Sequence, residues 1–329
     1  MTQRLIILFL AFCFFQGNAE YLQVKHQFTH EELYLARKII VHNHEILVYD
    51  EGGNLTNGDE KVMIFNFNGK YLAQMGKGGE GPGEYKAAGD IIVNNGQLFV
   101  LDSLGQAVNA YDLKRREFLM RKRYSNANVF TTPDSFAVDN LGRTYITFGR
   151  GIKSSKIISV FDIDMKKQFE FVDCYTTYET QKDEFKGFGR QWDEDIRKFY
   201  YNQSYIAVSP NKLYFATWLF NEVFEFSLEG KFLKKYQVPL ESIAETVPIV
   251  KTGNFKTIER RLIYHLLFKN NQLYLLSRDN KGNSVIFILK QGVFKEIYRL
   301  EEELFSFDMT ARKLMAVNRE DSIIYIYDI

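Results

Sequence analysis

The stretch Asp90-Ile91-Ile92-Val93-Asn94-Asn95-Gly96-Gln97-Leu98-Phe99-Val100-Leu101-Asp102 contains a strand, a tight turn and a second strand in thirteen residues. Asn-Gly between two apolar runs is the strongest short hairpin signal, because both turn positions need positive φ. Downstream, Ala107–Asp112 and Glu117–Arg121 read as a third and a fourth strand. The second strand returns five more times: Glu45–Tyr49, Arg143–Thr147, Lys212–Ala216, Gln272–Leu276 and Lys313–Val317. Single sheet units cannot bury both faces alone, so six of them must pack side by side.

The sixth unit is one strand short. Leu304–Asp308, Lys313–Val317 and Ile323–Asp328 supply three strands before the chain stops. Tyr21–Phe28 reads as a period-2 strand with no unit of its own. That strand is expected to complete the last unit and close a ring, which leaves few free edges. An open solenoid would need caps at both ends, and the sequence offers none. The fold class is therefore all-β: a six-bladed β-propeller of four-stranded antiparallel blades, closed by the N-terminal strand. Residues 20–329 are expected to form a single propeller domain.

Composition agrees. Aromatic residues make up 16% of the chain, with 29 Phe and 20 Tyr against 5 Pro, and such residues suit pleated, half-buried surfaces. Helix-period stretches are nearly absent. Ahead of Glu20, Arg4 precedes the apolar run Leu5–Phe15, and Gly17-Asn18-Ala19 offers small residues for cleavage. This reads as a secretory signal peptide over residues 1–19, too short to span a membrane. Phe12 is bulky where a lipoprotein signal wants a small residue, so cleavage near Ala19 ranks above a lipid anchor at Cys13. The expected location is extracytoplasmic, in a bacterial periplasm or at the cell surface.

Cleavage removes one charge, Arg4, and leaves 41 basic and 41 acidic side chains. A nucleic-acid partner would call for a basic excess, so none is expected. No second apolar run reaches spanning length, and a soluble monomer is expected. Cys174 alone remains after cleavage, so the mature chain has no internal disulfide and the thiol is expected to be structurally inert.

The linker Gly76-Lys77-Gly78-Gly79-Glu80-Gly81-Pro82-Gly83-Glu84-Tyr85, followed by Asp90–Val93 and Leu98–Asp102, resembles the NHL-type repeat. It is similar to the linker of the six-bladed, NHL-like propellers secreted by bacteria, marked by Gly-x-Gly-Pro-Gly-Glu-aromatic. The resemblance covers nearly the whole mature chain and implies six blades. It implies little about chemistry, because such propellers include protein-binding, nucleic-acid-binding and lyase modules.

Catalytic and metal motifs are sparse. The Gly-rich linker lacks the Lys-Ser/Thr ending of a phosphate loop and reads better as a tight crossover between blades. His42-Asn43-His44 falls in a turn, and five His with one Cys make a zinc site improbable. Asp50-Glu51-Gly52-Gly53-Asn54 with Asp59-Glu60 has oxygen chemistry suited to calcium, but not the EF-hand spacing, and reads as a solvated acidic loop. No cofactor is required and no residue is assigned a catalytic role.

The insertions are more informative. Leu47, Phe99, Tyr145, Tyr214, Tyr274 and Met315 are spaced by 52, 46, 69, 60 and 41 residues. The two long gaps hold 173–203 and 239–261, each joining an outer strand to the next inner strand, on the face shared with the linker around Pro82. Long loops in compact domains are usually functional or disordered. The first carries Arg190, Trp192 and several aromatics, residue types common at binding hot spots. The competing reading is a small helical flap packed for its own sake. The expected ligand-binding set is Trp192, Arg190 and Tyr85, then Glu84, Trp218 and Arg278. The first-ranked function is a non-catalytic propeller that recognises a protein, peptide or glycan on this loop-rich face. A structural partner in an envelope assembly ranks next. A hydrolase or lyase at the channel mouth ranks third, with Glu84, Asp102 and Arg278 as its charged candidates.

Overall fold

The computed structural model describes residues 19–52, 59–124, 133–149, 155–176, 192–252, 255–318 and 321–329. The chain opens with β1 (Glu20–Tyr21) and β2 (Val24–Phe28). Blade one holds β3 (Ala36–His42), β4 (Glu45–Asp50), β5 (Lys61–Asn66) and β6 (Tyr71–Met75). The short pair β7 (Lys77–Gly78) and β8 (Glu84–Tyr85) forms the linker. Blade two holds β9 (Ala88–Asn94), β10 (Gln97–Asp102), β11 (Ala107–Asp112) and β12 (Glu117–Arg123). Blade three holds β13 (Pro133–Val138), β14 (Thr144–Phe148), β15 (Lys156–Phe161) and β16 (Lys167–Asp173).

Helix α1 (Trp192–Tyr200) precedes blade four, which holds β17 (Ser204–Val208), β18 (Lys212–Thr217), β19 (Glu222–Ser227) and β20 (Phe232–Gln237). The hairpin β21 (Ile249–Thr252) and β22 (Phe255–Ile258) follows. Blade five holds β23 (Ile263–Lys269), β24 (Gln272–Arg278), β25 (Ser284–Lys290) and β26 (Val293–Leu300). Blade six holds β27 (Ser306–Met309), β28 (Lys313–Val317) and β29 (Ile324–Asp328).

The blades form a closed ring. Inner strands touch in the cycle β3, β9, β13, β17, β23, β27 and back to β3. Strand β2 lies antiparallel to β29 and becomes the outer strand of blade six. The single strand expected over Tyr21–Phe28 is instead two pieces, because Glu20 and Tyr21 pair in parallel with Tyr298 and Arg299 of blade five. The N-terminus therefore ties two blades together.

Six hydrophobic clusters hold the ring, one in each seam. Leu47, Tyr49 and Ile64 of blade one meet Ile91, Leu98 and Val100 of blade two. Ile39, Ile46 and Val48 meet Met315, Val317 and Ile324 across the closing seam. Each fully buried aliphatic or aromatic side chain contributes about 1.5–3 kcal/mol. The inner edges, which face the channel, are capped by side chains. Asp308 accepts from the Val41 N–H (2.7 Å), Asp90 from the Phe136 N–H (3.2 Å) and Glu60 from the Ala88 N–H (2.6 Å). An unpaired buried backbone donor is costly, so these polar residues belong to the ring's closure.

Candidate functional site

Every second strand in the ring runs toward the same face, and every inner strand starts from it. Residues just past a second strand therefore meet residues just before or at the start of an inner strand at the channel mouth. Glu51, Ser103, Trp218, Arg278 and Asn318 are of the first kind, and Leu35, Ala87, Arg261 and Phe305 of the second. They enclose a cavity of about 850 Å³. The insertions form part of its wall, through Tyr200 of the first and Val250 and Thr257–Arg261 of the second.

The two insertions fold against each other. Ile196 and Tyr200 of α1 pack with Trp218, Leu219, Ile243, Ala244, Val247, Ile258 and Leu262 in a separate cluster. Arg197 Nε donates to the Val247 carbonyl at 3.1 Å, and the Tyr200 and Thr257 hydroxyls lie 3.0 Å apart. Basic residues in the last helical turn, Arg197 and Lys198, suit the negative end of the helix dipole.

Four arginines and several carboxylates line the mouth. Arg261 lies over the Trp218 ring, Cζ 3.2 Å from its centroid, and donates to the Tyr205 hydroxyl at 2.5 Å. Arg278 lies over the Tyr264 ring at 4.3 Å and donates to Glu303 at 2.9 Å. Arg37 is hydrogen-bonded to Glu51. Burial works against the Arg37 charge, but Glu51, joined by Tyr49 and Tyr205, more than offsets this, so the guanidinium is held more firmly protonated than in water. Glu60 is 4% exposed. Burial pushes its carboxyl up to about 7, the Ala88 N–H opposes that shift, and the nearby Glu51 charge adds to it.

The acidic stretch read as a solvated loop is thus corrected in its described part. Asp50, Glu51 and Glu60 are all buried. Asp50 accepts from the Leu35 N–H at 2.6 Å and fixes the approach to the first inner strand. Residues 53–58 lie outside the described residues. Among the described residues no three His, Cys, Asp or Glu side chains form a metal-binding group.

The residues singled out from sequence separate clearly. Trp218 and Arg278 line the mouth. Trp218 is buried, at 3% exposure, so it forms part of the wall and is no protruding anchor. Tyr85 does not face the channel. It is fully buried in the seam between blades one and two, where any side chain on Gly76 would come within 2.5 Å of its ring. That packing accounts for the glycine and the aromatic of the linker. Glu84 folds back onto the linker, accepting from the Gly81 N–H at 2.8 Å and pairing with Lys77 at 3.2 Å. Asp102, at the mouth end of its second strand, is fully buried against Arg121 (2.6 Å) and accepts from the Ala87 and Gly105 N–H groups, so it braces the mouth from behind and does not line the cavity. Arg190 and the side chain of Trp192 lie outside the described residues. The mouth residues Arg37, Arg260 and Arg261 carried no motif, and Glu60 stood in the acidic stretch read as a solvated loop. The only signal of the arginines was position, at the threshold of an inner strand or on a loop beside it.

A family model described as "6-bladed beta-propeller" matches residues 20–311, and the chain belongs to that family. No curated protein sequence matches it. Among solved structures it resembles a putative exported protein of Bacteroides fragilis (TM-score 0.55, 15% identity, 94% of each chain covered). It also resembles a protein of unknown function from Bacteroides thetaiotaomicron (TM-score 0.58, 9% identity, 90% of this chain and 70% of that one). Streptogramin B lyase matches at TM-score 0.54 and 11% identity, over 92% of this chain and 96% of that one. At these identities the likeness is one of fold.

Proposed function

We propose that this protein is a recognition propeller acting outside the cytoplasm, kin to the NHL-like propellers, which binds a protein, peptide or glycan at the channel mouth. The observation that carries this is the cavity of about 850 Å³. It sits where both insertions meet the second-strand ends, and its volume falls in the range of small-ligand sites. Loops on a rigid scaffold are where recognition concentrates. The apolar run Leu5–Phe15 behind Arg4, read as a signal peptide, is what supports the location.

The test is binding to immobilised peptide and glycan arrays. Arg260→Ala with Arg278→Ala should abolish the hits of the native protein. Leu141→Ala, in an exposed turn at the opposite end of the blades, should leave them intact. Hits lost only with Leu141→Ala would refute the assignment.

A hydrolase or lyase at the same mouth is the second reading. One observation favours it: a carboxyl poised near 7, Glu60, in a cavity lined by arginines. Turnover that persists in Glu60→Gln protein would remove Glu60 from any such role.

A further inference from the structure

Three arginines cluster on one side of the mouth cavity, with Glu259 and Glu303 beside them. Arg260 and Arg261 end the second insertion, and Arg278 ends the second strand of blade five. Across the ring, Glu51 and Glu60 come from blade one and Asp134 from blade three. On the carboxylate wall Glu51 holds Arg37.

We propose that the mouth binds its ligand through a carboxylate, held by Arg260, Arg261 and Arg278, while Glu51, Glu60 and Asp134 receive the ligand's hydroxyl or N–H groups. This rests on the reading of the mouth as the binding site.

Three independent features carry it. First, the aromatic rings of the arginine wall are covered. Arg261 lies on the Trp218 face at 3.2 Å, Tyr200 and Tyr205 stack near the same indole at 6.2 and 6.0 Å, and Arg278 lies on Tyr264 at 4.3 Å. These rings offer no platform on which a neutral sugar or an aromatic side chain would stack. They hold guanidinium planes in place instead, an arrangement suited to planar, bidentate recognition of a carboxylate.

Second, this wall has donors to spare. The Trp218 Nε1–H and Arg278 Nε–H are buried without an acceptor, and Arg260 has no ion-pair partner among the described residues. Trp218 is 3% exposed, and a buried donor left unpaired is costly, so an acceptor-rich group entering here gains by pairing it. A carboxylate brings two oxygens and no donor. The nearest competing acceptor, Glu303 on Arg278, is 54% exposed and held only by a surface pair, which a ligand displaces at small cost.

Third, the inner edges are closed. The Ala88 N–H is taken by Glu60, and the Ile39 and Val41 N–H groups by Ser306 and Asp308. A peptide cannot enter by adding a strand to these positions, so side-chain chemistry at the mouth decides what is bound.

An acidic sugar and a peptide C-terminus both present this chemistry, and paired probes separate them. Trp192→Phe leaves Trp218 as the sole indole, so its fluorescence reports the mouth directly. The protein is titrated with glucuronate against glucose, and with N-acetyl-Ala-Ala acid against its amide. The acid of at least one pair should bind about 10-fold or more tightly than its neutral counterpart. The pair showing the preference names the source. Arg260→Ala and Arg278→Ala should each erode that preference. The melting temperature of the native protein with the same probes provides a check that does not depend on the indole substitution.

If each acid and its neutral counterpart bind alike at Trp218, the carboxylate inference falls while the mouth stands as the site. If neither acid produces a saturable change at millimolar concentration in either measurement, the inference also falls. The mouth reading is then judged separately by the array experiment.

Discussion

The two ends of the channel are lined by the same inner strands, yet they are built differently. At the end away from the insertions the inner and second strands are joined by tight turns. Asn43 and His44, Asn95 and Gly96, and Asn270 and Asn271 all adopt positive φ, as two-residue hairpins require. Charges there are consumed by the ring. Lys38 pairs with Asp90 at 2.5 Å, and Lys269 with Asp308 at 2.6 Å. His265 is buried, and burial followed by the Lys38 charge pushes its imidazole down to about 3, so it is neutral at physiological pH. The space enclosed is about 290 Å³, against about 850 Å³ at the mouth. Turn geometry fixes one end, whereas the other accepts two insertions and the arginines they carry without disturbing the sheets. Charges near the tight end pair across the ring; at the mouth Glu60 caps the Ala88 N–H and Glu51 holds Arg37, while Arg260 has no ion-pair partner among the described residues.

The most severe way to break this contrast is to open the ring. Removing residues 20–28 deletes the outer strand of blade six and the β1 tie to blade five. Both ends should fail together, with loss of about half or more of a total stability of roughly 5–15 kcal/mol, and with aggregation through the exposed edge. An unchanged melting temperature and monomeric elution would show that the N-terminus is not part of the closure.

Asp308→Ala should come next. Its carboxylate accepts from the Val41 and Met309 N–H groups and holds Lys269. Burial pushes the Asp308 carboxyl up, with Lys269 opposing, so the group depends on its partners. Removing it strands two buried donors and a cation, at a cost of about 3 kcal/mol by denaturant unfolding. Probe binding at the mouth should be unchanged in the surviving folded fraction. Lost mouth binding in folded Asp308→Ala protein would mean that the two ends are coupled.

At the mouth the Glu60 carboxyl is likewise pushed up by burial, and its ionisation is what costs stability. Below about pH 4.5 Glu60 is protonated in the folded and the unfolded chain alike. Between 4.5 and about 7 the unfolded chain ionises first, so Glu60 lowers stability as pH rises through that window. Glu60→Gln should therefore stabilise the protein at pH 8 by about 1–2 kcal/mol, less than the full shift implies because the open mouth lets solvent in. At pH 4 it should change little. Urea unfolding at the two pH values checks this, and equal effects at both would contradict it.

The smallest effect on stability is expected for Arg260→Ala. Arg260 is half-buried and has no ion-pair partner among the described residues, so the change should stay within about 0.5 kcal/mol while probe binding weakens.

The same contrast explains what could be read in the chain beforehand. The turn Asn95-Gly96 and its counterparts obey local backbone rules, so blade number, strand order and the closing strand were legible. Trp218 and Arg278 were legible as mouth residues because they end second strands whose direction the repeat fixes. Tyr85 was misplaced because its linker motif looks like a surface loop, whereas the glycines let its ring enter a seam. Arg260 and Arg261 were missed because they precede an inner strand from a loop with no periodic pattern, and only three-dimensional closure brings them to the cavity that Glu60 also lines. The buried state of Asp50, Glu51 and Glu60 was likewise invisible, since an acidic run gives no sign of which backbone donors it caps.

The central claim is that ligands enter at the mouth and meet the Trp218 wall. Its most direct test is the ¹H–¹⁵N spectrum of Trp192→Phe protein, in which Trp218 gives the one remaining indole N–H signal. Titration with glucuronate or N-acetyl-Ala-Ala acid should move that signal saturably, as its unpaired donor gains an acceptor. A stationary indole signal, with shifts instead at Lys38, His265 and Lys269, would place binding at the other end and contradict the account.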